Sequence, residues 1–448
     1  MTQPSSNPRT PRMACLPLAS ILAVLAVGAF LGNRDASAQE LSKFDRGNAR
    51  MILKATREDL VKYYYDPSLR GMDVEATFAA ADAAITKAST HAELFKAIAK
   101  PLMALKDSHT FFVPPAWAAK LEFGWNIQMI GDACYVVAIQ PGSDAEAKGL
   151  KRGDRVLAVD GKEPSRASLW DILVTGRLLE PHGSSLLVVR SPQGEMRQVI
   201  VRTKVTPQKR VWKASTDLGD LIREIQDKSY LERHRLYESD TDLLIWKMPQ
   251  FNLDREEIGR ILKRAAKRSA MILDLRGNPG GSVETLQYMV GGFVDKKVTV
   301  NEIKLREETS SVVSLKPSSV FTGTLVMLID SESGSAAEVF ARVMQLNHRA
   351  KVIGDQSAGK VMMSRFYQRQ VGIKTVMSFG SSITVADLTM QDGKSLEGAG
   401  VLPDEILLPT ADDLASGRDP VMSRAASLCG VTLDANKAGS LFPIEWER

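Results

Sequence analysis

Three short stretches carry the side chains that could do chemistry. "SESGSAAEVFARVMQ" sets Ser335 directly before an amphipathic run, "GDQSAGK" ends on Lys360, and "RGNPGG" supplies closely spaced glycines up to Gly281. A hydroxyl, an amine and backbone N–H groups open to a ligand are the parts acyl transfer requires: a nucleophile, a base for its proton, and donors for the oxyanion. Each part also has a structural reading. Ser335 with Glu338 three positions on is a capping box for the helix that starts there. Lys360 taken alone is a solvated loop lysine, and "GNPGG" taken alone is a tight turn.

The elements around them decide whether the three can meet. "DLLIWKM", "AMILDLRG", "TLVMLID" and "AKVIG" read as strands, alternating with the helical "SVETLQYMVGGFV" and the helix from Ser335. Such alternation predicts βαβ units with parallel strands. The helix from Ala336 to about Asn347 spans roughly 18 Å at ~1.5 Å per residue. The strand around Lys351–Gly354 and its flanks return a similar distance at ~3.3 Å per residue. The loop "DQSAGK" should therefore emerge level with the first turn of the helix, bringing Lys360 to Ser335. "RGNPGG" should reach the same carboxyl edge, where α/β sheets place their ligands. "GDQSAGKV" nearly reads as a phosphate-binding loop, but Val361 stands where Mg²⁺ binding needs Ser or Thr, and "VMMSRFYQRQV" is not the helix that must follow.

The 448 residues allow two or three domains, and a formal charge of +5 without a basic run gives no support for nucleic-acid binding. Arg9 and Arg12 precede the apolar "CLPLASILAVLAVGAFLG", and "ASA" precedes Gln39; residues 1–38 read as a signal peptide, which makes the chain periplasmic or secreted with no integral span after cleavage. Cys134 and Cys429 are too few for a disulfide framework, and Cys134 in "ACYVVAI" is expected to be a buried thiol. The five histidines have no metal-ligand spacing, so neither a metal nor a cofactor is expected. Residues 39–112 read as helices, with a Thr cap before "HAELFKAIAKPLMAL". Short strands take over to about residue 205, the α/β pattern fills 206–411, and 412–448 is a weakly patterned tail.

Within 113–205, "PGSDAEAKGLKRGDRVLAVDGK" resembles the middle section of a PDZ domain. The resemblance makes "FGWNIQ" the carboxylate-binding loop, with Gly124, Trp125, Asn126 and Ile127 receiving a substrate's C-terminus. "MILDLRGNPGG", "SESGSAAEVFARVMQ" and "RAKVIGDQSAGK", in this order behind the PDZ-like section, resemble the C-terminal-processing (tail-specific) serine peptidases. "DSHTFFVPP" and "LEGAGVLPDEILLP" match regions typical of that family. The resemblance implies a crotonase-like α/β protease core, an N-terminal helical domain and an inserted PDZ β-barrel. It also implies a Ser335/Lys360 dyad with Gly281 and Ala336 as oxyanion donors, and cleavage of polypeptides with exposed C-termini, with a homo-oligomer or an adaptor protein as further partners. Relatives often carry a glutamine four residues after the lysine; here that position is Ser364. The related tricorn-type peptidases take a histidine base from a motif like "KDSHT", which makes His109 the alternative base, against a purely structural reading. The alternative to an enzyme is a non-catalytic PDZ-bearing scaffold.

Overall fold

The computed structural model describes residues 41–115, 119–207, 225, 230, 233–238, 242–372 and 376–446. The expected signal peptide lies outside them. Three capped helices come first: α1 (Lys43–Tyr63), α2 (Val74–Lys87) and α3 (His91–Met103). Thr90 is the α3 cap, its hydroxyl accepting from the Glu93 N–H at 3.2 Å. Strand β1 (Phe111–Val113) follows. The helices do not close a core of their own, as a separate helical domain would. Ile52, Leu60 and Ile98 pack with Phe112 of β1, Leu179 of the following β domain and Ile383 far down the chain.

The β domain begins with β2 (Ala119–Glu122), β3 (Trp125–Ile130), β4 (Ala133–Ile139) and the short α4 (Asp144–Ala147). It continues with β5 (Arg155–Val159), α5 (Leu169–Leu173), β6 (Ser184–Arg190), β7 (Met196–Arg202) and β8 (Lys204–Pro207). Strands β3 to β7 form an antiparallel meander in chain order, and β2 pairs with β8. Among the described residues, β3 and β7 are the two edges of this sheet. Alternation along β4 turns Cys134, Val136 and Ala138 inward. Burial pushes the Cys134 thiol up to about 12, which makes it an inert core group.

The α/β core runs through β9 (Arg235–Glu238), β10 (Leu243–Lys247), α6 (Arg255–Ala265), β11 (Ala270–Asp274), α7 (Val283–Phe293), β12 (Thr299–Lys304) and β13 (Thr309–Val313). It continues with β14 (Thr324–Ile329), α8 (Ala336–Leu346), β15 (Lys351–Gly354), β16 (Met362–Val371), β17 (Met377–Thr389) and β18 (Glu405–Ile406). Six strands align as β18-β15-β14-β11-β10-β9. All neighbours are parallel except β9 on β10, as the βαβ reading requires. Residues such as Trp246, Leu273 and Met327 face α6, α7 and α8, while Ile245, Ile272 and Leu328 face the other side. Both faces are buried, so the strands read as nearly continuous apolar runs. The second face is covered by the segment expected to be weakly patterned. It forms α9 (Ala411–Ser416), α10 (Pro420–Leu428) and α11 (Ala435–Ser440), with Val421, Met422, Ala425 and Ala426 turned inward. A second sheet, β1-β17-β12-β13 with β16 on β17, stands beside the core.

Candidate active site

The β14–α8 connection places Ser335 at φ +50°, ψ −119°, in the turn from strand to helix. A non-glycine residue held there stores of order 1–3 kcal/mol of strain, and such strain clusters at functional sites. The Ser335 N–H is bound by the Lys360 carbonyl at 2.9 Å and by Glu338 Oε2 at 3.0 Å. The glycine loop lies against this turn. A Cβ on Gly280 would come within 2.7 Å of Ser335 Cβ and 2.9 Å of the Ala336 nitrogen, and one on Gly281 within 2.4 Å of the Phe251 carbonyl. Phe251 bonds to the carbonyl of Gly280 and the N–H of Ser282, so alternation turns the Gly281 N–H to the opposite side. Ala336, the first residue of α8, has no intrahelical acceptor. Two expected oxyanion donors thus lie together beside Ser335.

Glu338 joins the two expected catalytic loops. It is fully buried, with Oε1 accepting from Ser357 Oγ (2.6 Å) and the Gly359 N–H (2.7 Å), and Oε2 from the N–H groups of Ser335 and Lys360 (3.0 and 2.9 Å). Burial outweighs these four bonds and raises its carboxyl to about 7. Lys360 is brought to the site as the βαβ geometry predicts. Its ammonium, however, lies over the Trp170 ring of α5, 4.1 Å from the centroid. Burial lowers its pKa, while Glu338, Glu332, Glu397 and Asp171 pull the other way. Ser364 faces the cavity beside Ser335, along with His109.

His109 belongs to a second chain of contacts. The turn is anchored by Asp107, whose Oδ1 accepts from the N–H groups of His109 (2.8 Å) and Thr110 (3.2 Å) and from Thr384 Oγ1 (2.7 Å). His109 Nδ1 is 2.7 Å from Ser108 Oγ, which in turn is 2.9 Å from Glu397 Oε2. Glu397 also accepts from the N–H groups of Ser108 (3.0 Å) and Val361 (2.8 Å). Ser108 has one proton and gives it to Glu397 Oε2, whose carboxyl is raised by burial against the bonds it accepts. Ser108 therefore donates to Glu397 and accepts from Nδ1–H, which leaves the lone pair on Nε2. Burial, reinforced by the Lys360 charge and opposed by Asp107, holds the imidazole down at about 4, so it is neutral at physiological pH. Sequence reasoning named His109 only as an alternative and missed Ser108 and Glu397.

The supporting contacts come from distant parts of the chain. Arg276 bonds to Asp274 (2.9 Å) and, through both terminal nitrogens, to Asp419 at the start of α10 (3.0 and 2.7 Å). The C-terminal helices thereby fix the glycine loop, and the paired cations keep the buried Asp274 carboxyl well below its usual range. Asp330 accepts from the Gly277 N–H (2.9 Å) and from Gln128 Nε2 of β3 (2.7 Å). Arg166 of the β domain bonds to Asp355 Oδ1 (2.7 Å) and the Gln356 carbonyl (3.1 Å), ahead of Lys360. The expected carboxylate loop is packed inward: Gly124, Trp125, Asn126 and Ile127 are all buried. The Ile127 N–H is taken by Asn126 Oδ1 (2.9 Å), and the Trp125 carbonyl by Arg177 (3.3 Å).

A parallel sheet with a strained serine at a helix start, backbone N–H groups beside it and a buried histidine bonded through Ser108 to Glu397 has the parts that acyl transfer needs. Residues 242–407 match the model of peptidase family S41, and with the relatives that follow this supports a serine-type peptidase. The carboxyl-terminal-processing protease of Picosynechococcus is 25% identical over 71% of this chain and 74% of its own length. The chloroplastic carboxyl-terminal-processing peptidase 1 of Arabidopsis thaliana is 23% identical, over 70% of this chain and 62% of that protein. For the carboxy-terminal processing protease CtpA of Bacillus subtilis the values are 26%, 62% and 55%, so this chain spans little more than half of that relative. Among solved structures, mature CPAF has a similar fold, with a TM-score of 0.60 at 16% identity over 83% of this chain and 94% of that one.

Proposed function

We propose that the chain is an endopeptidase in which Ser335 attacks the scissile carbonyl and His109 takes its proton. The Glu397–Ser108–His109 chain of hydrogen bonds carries this reading. It fixes the tautomer, leaves Nε2 ready to accept, and stabilises the imidazolium that forms. The oxyanion then rests on the N–H groups of Gly281 and Ala336, aided by the start of α8. The imidazolium returns its proton to the leaving amine, and water, activated in the same way, releases the acid. Lys360 remains cationic in this scheme, held over Trp170.

The dyad implied by the family resemblance is the second reading. The lowered Lys360 pKa favours it, because a lysine base must be neutral. Replacing each residue by alanine separates the two. The histidine scheme expects His109→Ala to lose about 10⁴-fold in kcat with the fold intact, and Lys360→Ala to retain measurable cleavage. A dead Lys360→Ala beside an active His109→Ala reverses the assignment.

Substrates are polypeptides with exposed C-termini, and the β domain is a PDZ-like module that receives those tails. Its contacts to Asp330 and Asp355 support a link between tail recognition and the catalytic loops. The charged and then apolar N-terminus supports export, and among the described residues no helix is long and apolar enough to cross a membrane.

A further inference from the structure

Two cavities share His109 and Pro279 as walls, one of them lined by Ser335 and the other by the neighbouring Gly334, and they differ in size and character. One has a volume of about 40 Å³ and is walled by Lys360, Glu332, Ser108 and Trp170. It has about one-eighth of the other cavity's volume. The other has a volume of about 330 Å³ and is walled by Leu286, Ile303, Val312, Val339, Met362 and Leu388. Val339 lies one helical turn beyond Ser335 on α8, which puts it beneath the nucleophile. Gly281 and Ala336 line this cavity too. A carbonyl whose oxygen rests on their N–H groups therefore has its own Cα at the mouth of the larger cavity.

We infer that this cavity is the subsite for the side chain on the acyl side of the scissile bond, and that it selects a large apolar residue such as leucine, methionine or phenylalanine. The inference rests on the peptidase reading of Ser335. None of its described lining residues is charged. The polar groups are His109, which is neutral, and Asn301, Ser335 and Ser364; the Asn301 amide already donates to the Glu302 carbonyl at 3.2 Å. An acidic or basic side chain would lose its hydration there and find no counter-charge. An alanine would leave most of the space unfilled, and each missing methylene in such a pocket costs roughly 10-fold or more in kcat/KM. Leucine should therefore exceed alanine by at least about 10²-fold. Ser364, at the position where relatives often carry a lysine-supporting glutamine, becomes part of this wall.

The test uses the full chain on a reduced, alkylated and unfolded protein, with the new C-termini read by mass spectrometry. Peptides carrying Leu, Phe, Ala or Asp at the acyl position give kcat/KM. Val312→Phe, on the outer hairpin, fills the cavity and should shift cleavage toward Ala and Ser. Met363→Ala enlarges it at a part-exposed position, so it tests the claim without endangering the core, and should raise Phe relative to Leu. Cleavage after Leu, Met and Phe that moves with these variants supports the subsite. Cleavage after small or charged residues, or a preference neither variant changes, overturns it while Ser335→Ala remains inactive and the peptidase reading stands. Cleavage that persists in folded Ser335→Ala overturns both.

Discussion

Glu338→Gln replaces one carboxylate oxygen by an NH₂ group and changes almost no volume. Four donors meet the two oxygens in the native protein, two on each. Turned toward Ser357, the NH₂ can donate to its hydroxyl and leaves the Gly359 N–H without an acceptor; turned the other way, it leaves the N–H groups of both Ser335 and Lys360 without one. A buried donor left unsatisfied costs about 1–3 kcal/mol, so the variant should lose about 1–6 kcal/mol, a large part of a typical domain's stability. Either arrangement loosens a loop at Ser335 or at Gly359 and Lys360, so kcat should fall along with the melting temperature. The pH dependence has a definite sign. The carboxyl is raised to about 7 in the folded protein from 4.5. Its contribution to stability is thus fully present below 4.5 and lost as pH rises through about 7. At about 1.4 kcal/mol per pH unit that span is worth about 3 kcal/mol, and glutamine removes it. The gap between the two proteins in denaturant unfolding should therefore be wider at pH 5 than at pH 8. A variant with native stability and native kcat, or a gap that narrows at pH 5, would refute the role given to Glu338.

Three other outcomes are expected. Because neutral His109 is the base and its pKa is held at about 4, first by burial and also by Lys360, kcat/KM should rise through about pH 4 and be level at neutrality. Lys360→Met removes the second cause and should move that acid limb upward, toward 6.5; a limb that stays or moves down contradicts the scheme. Arg166→Ala removes bonds to Asp355, Gln356 and the Gly131 carbonyl, and should cost about 10-fold in kcat/KM with little change in the far-ultraviolet spectrum, since a hydrogen bond to a charged group is worth about 1.5–3 kcal/mol. Amidating the C-terminus of a peptide should weaken its binding to the Ser335→Ala protein about tenfold, and equal affinities for acid and amide would remove the tail-binding role of the β domain.

The α/β core was legible because its signals are local. Apolar runs of strand length alternate with amphipathic helices, and matching rises per residue were enough to bring Lys360 to Ser335. The relay was not legible in the same way. Ser108 and Glu397 are 289 positions apart, and Glu397 lies in a stretch with no regular structure, so neither periodicity nor spacing joins them. The C-terminal helices escaped notice because they are short. Their caps were nevertheless written at Thr410 with Asp413, at Asp419 before Pro420, and at Asp434. The β domain's strands followed from alternation, but inward packing of "FGWNIQ" depends on Arg177 folding over Phe123 and Trp125, a tertiary contact more than fifty positions away.

Ser335 is the residue on which everything else depends, and a serine-directed fluorophosphonate tests it most directly. The protein should take up one equivalent on the peptide that contains Ser335, with cleavage lost in proportion to labelling. Ser335→Ala should take up none and cleave nothing while melting at nearly the native temperature, since losing a helix-start side chain costs only about 1 kcal/mol. Label on another residue, or undiminished cleavage by folded Ser335→Ala, would contradict the account.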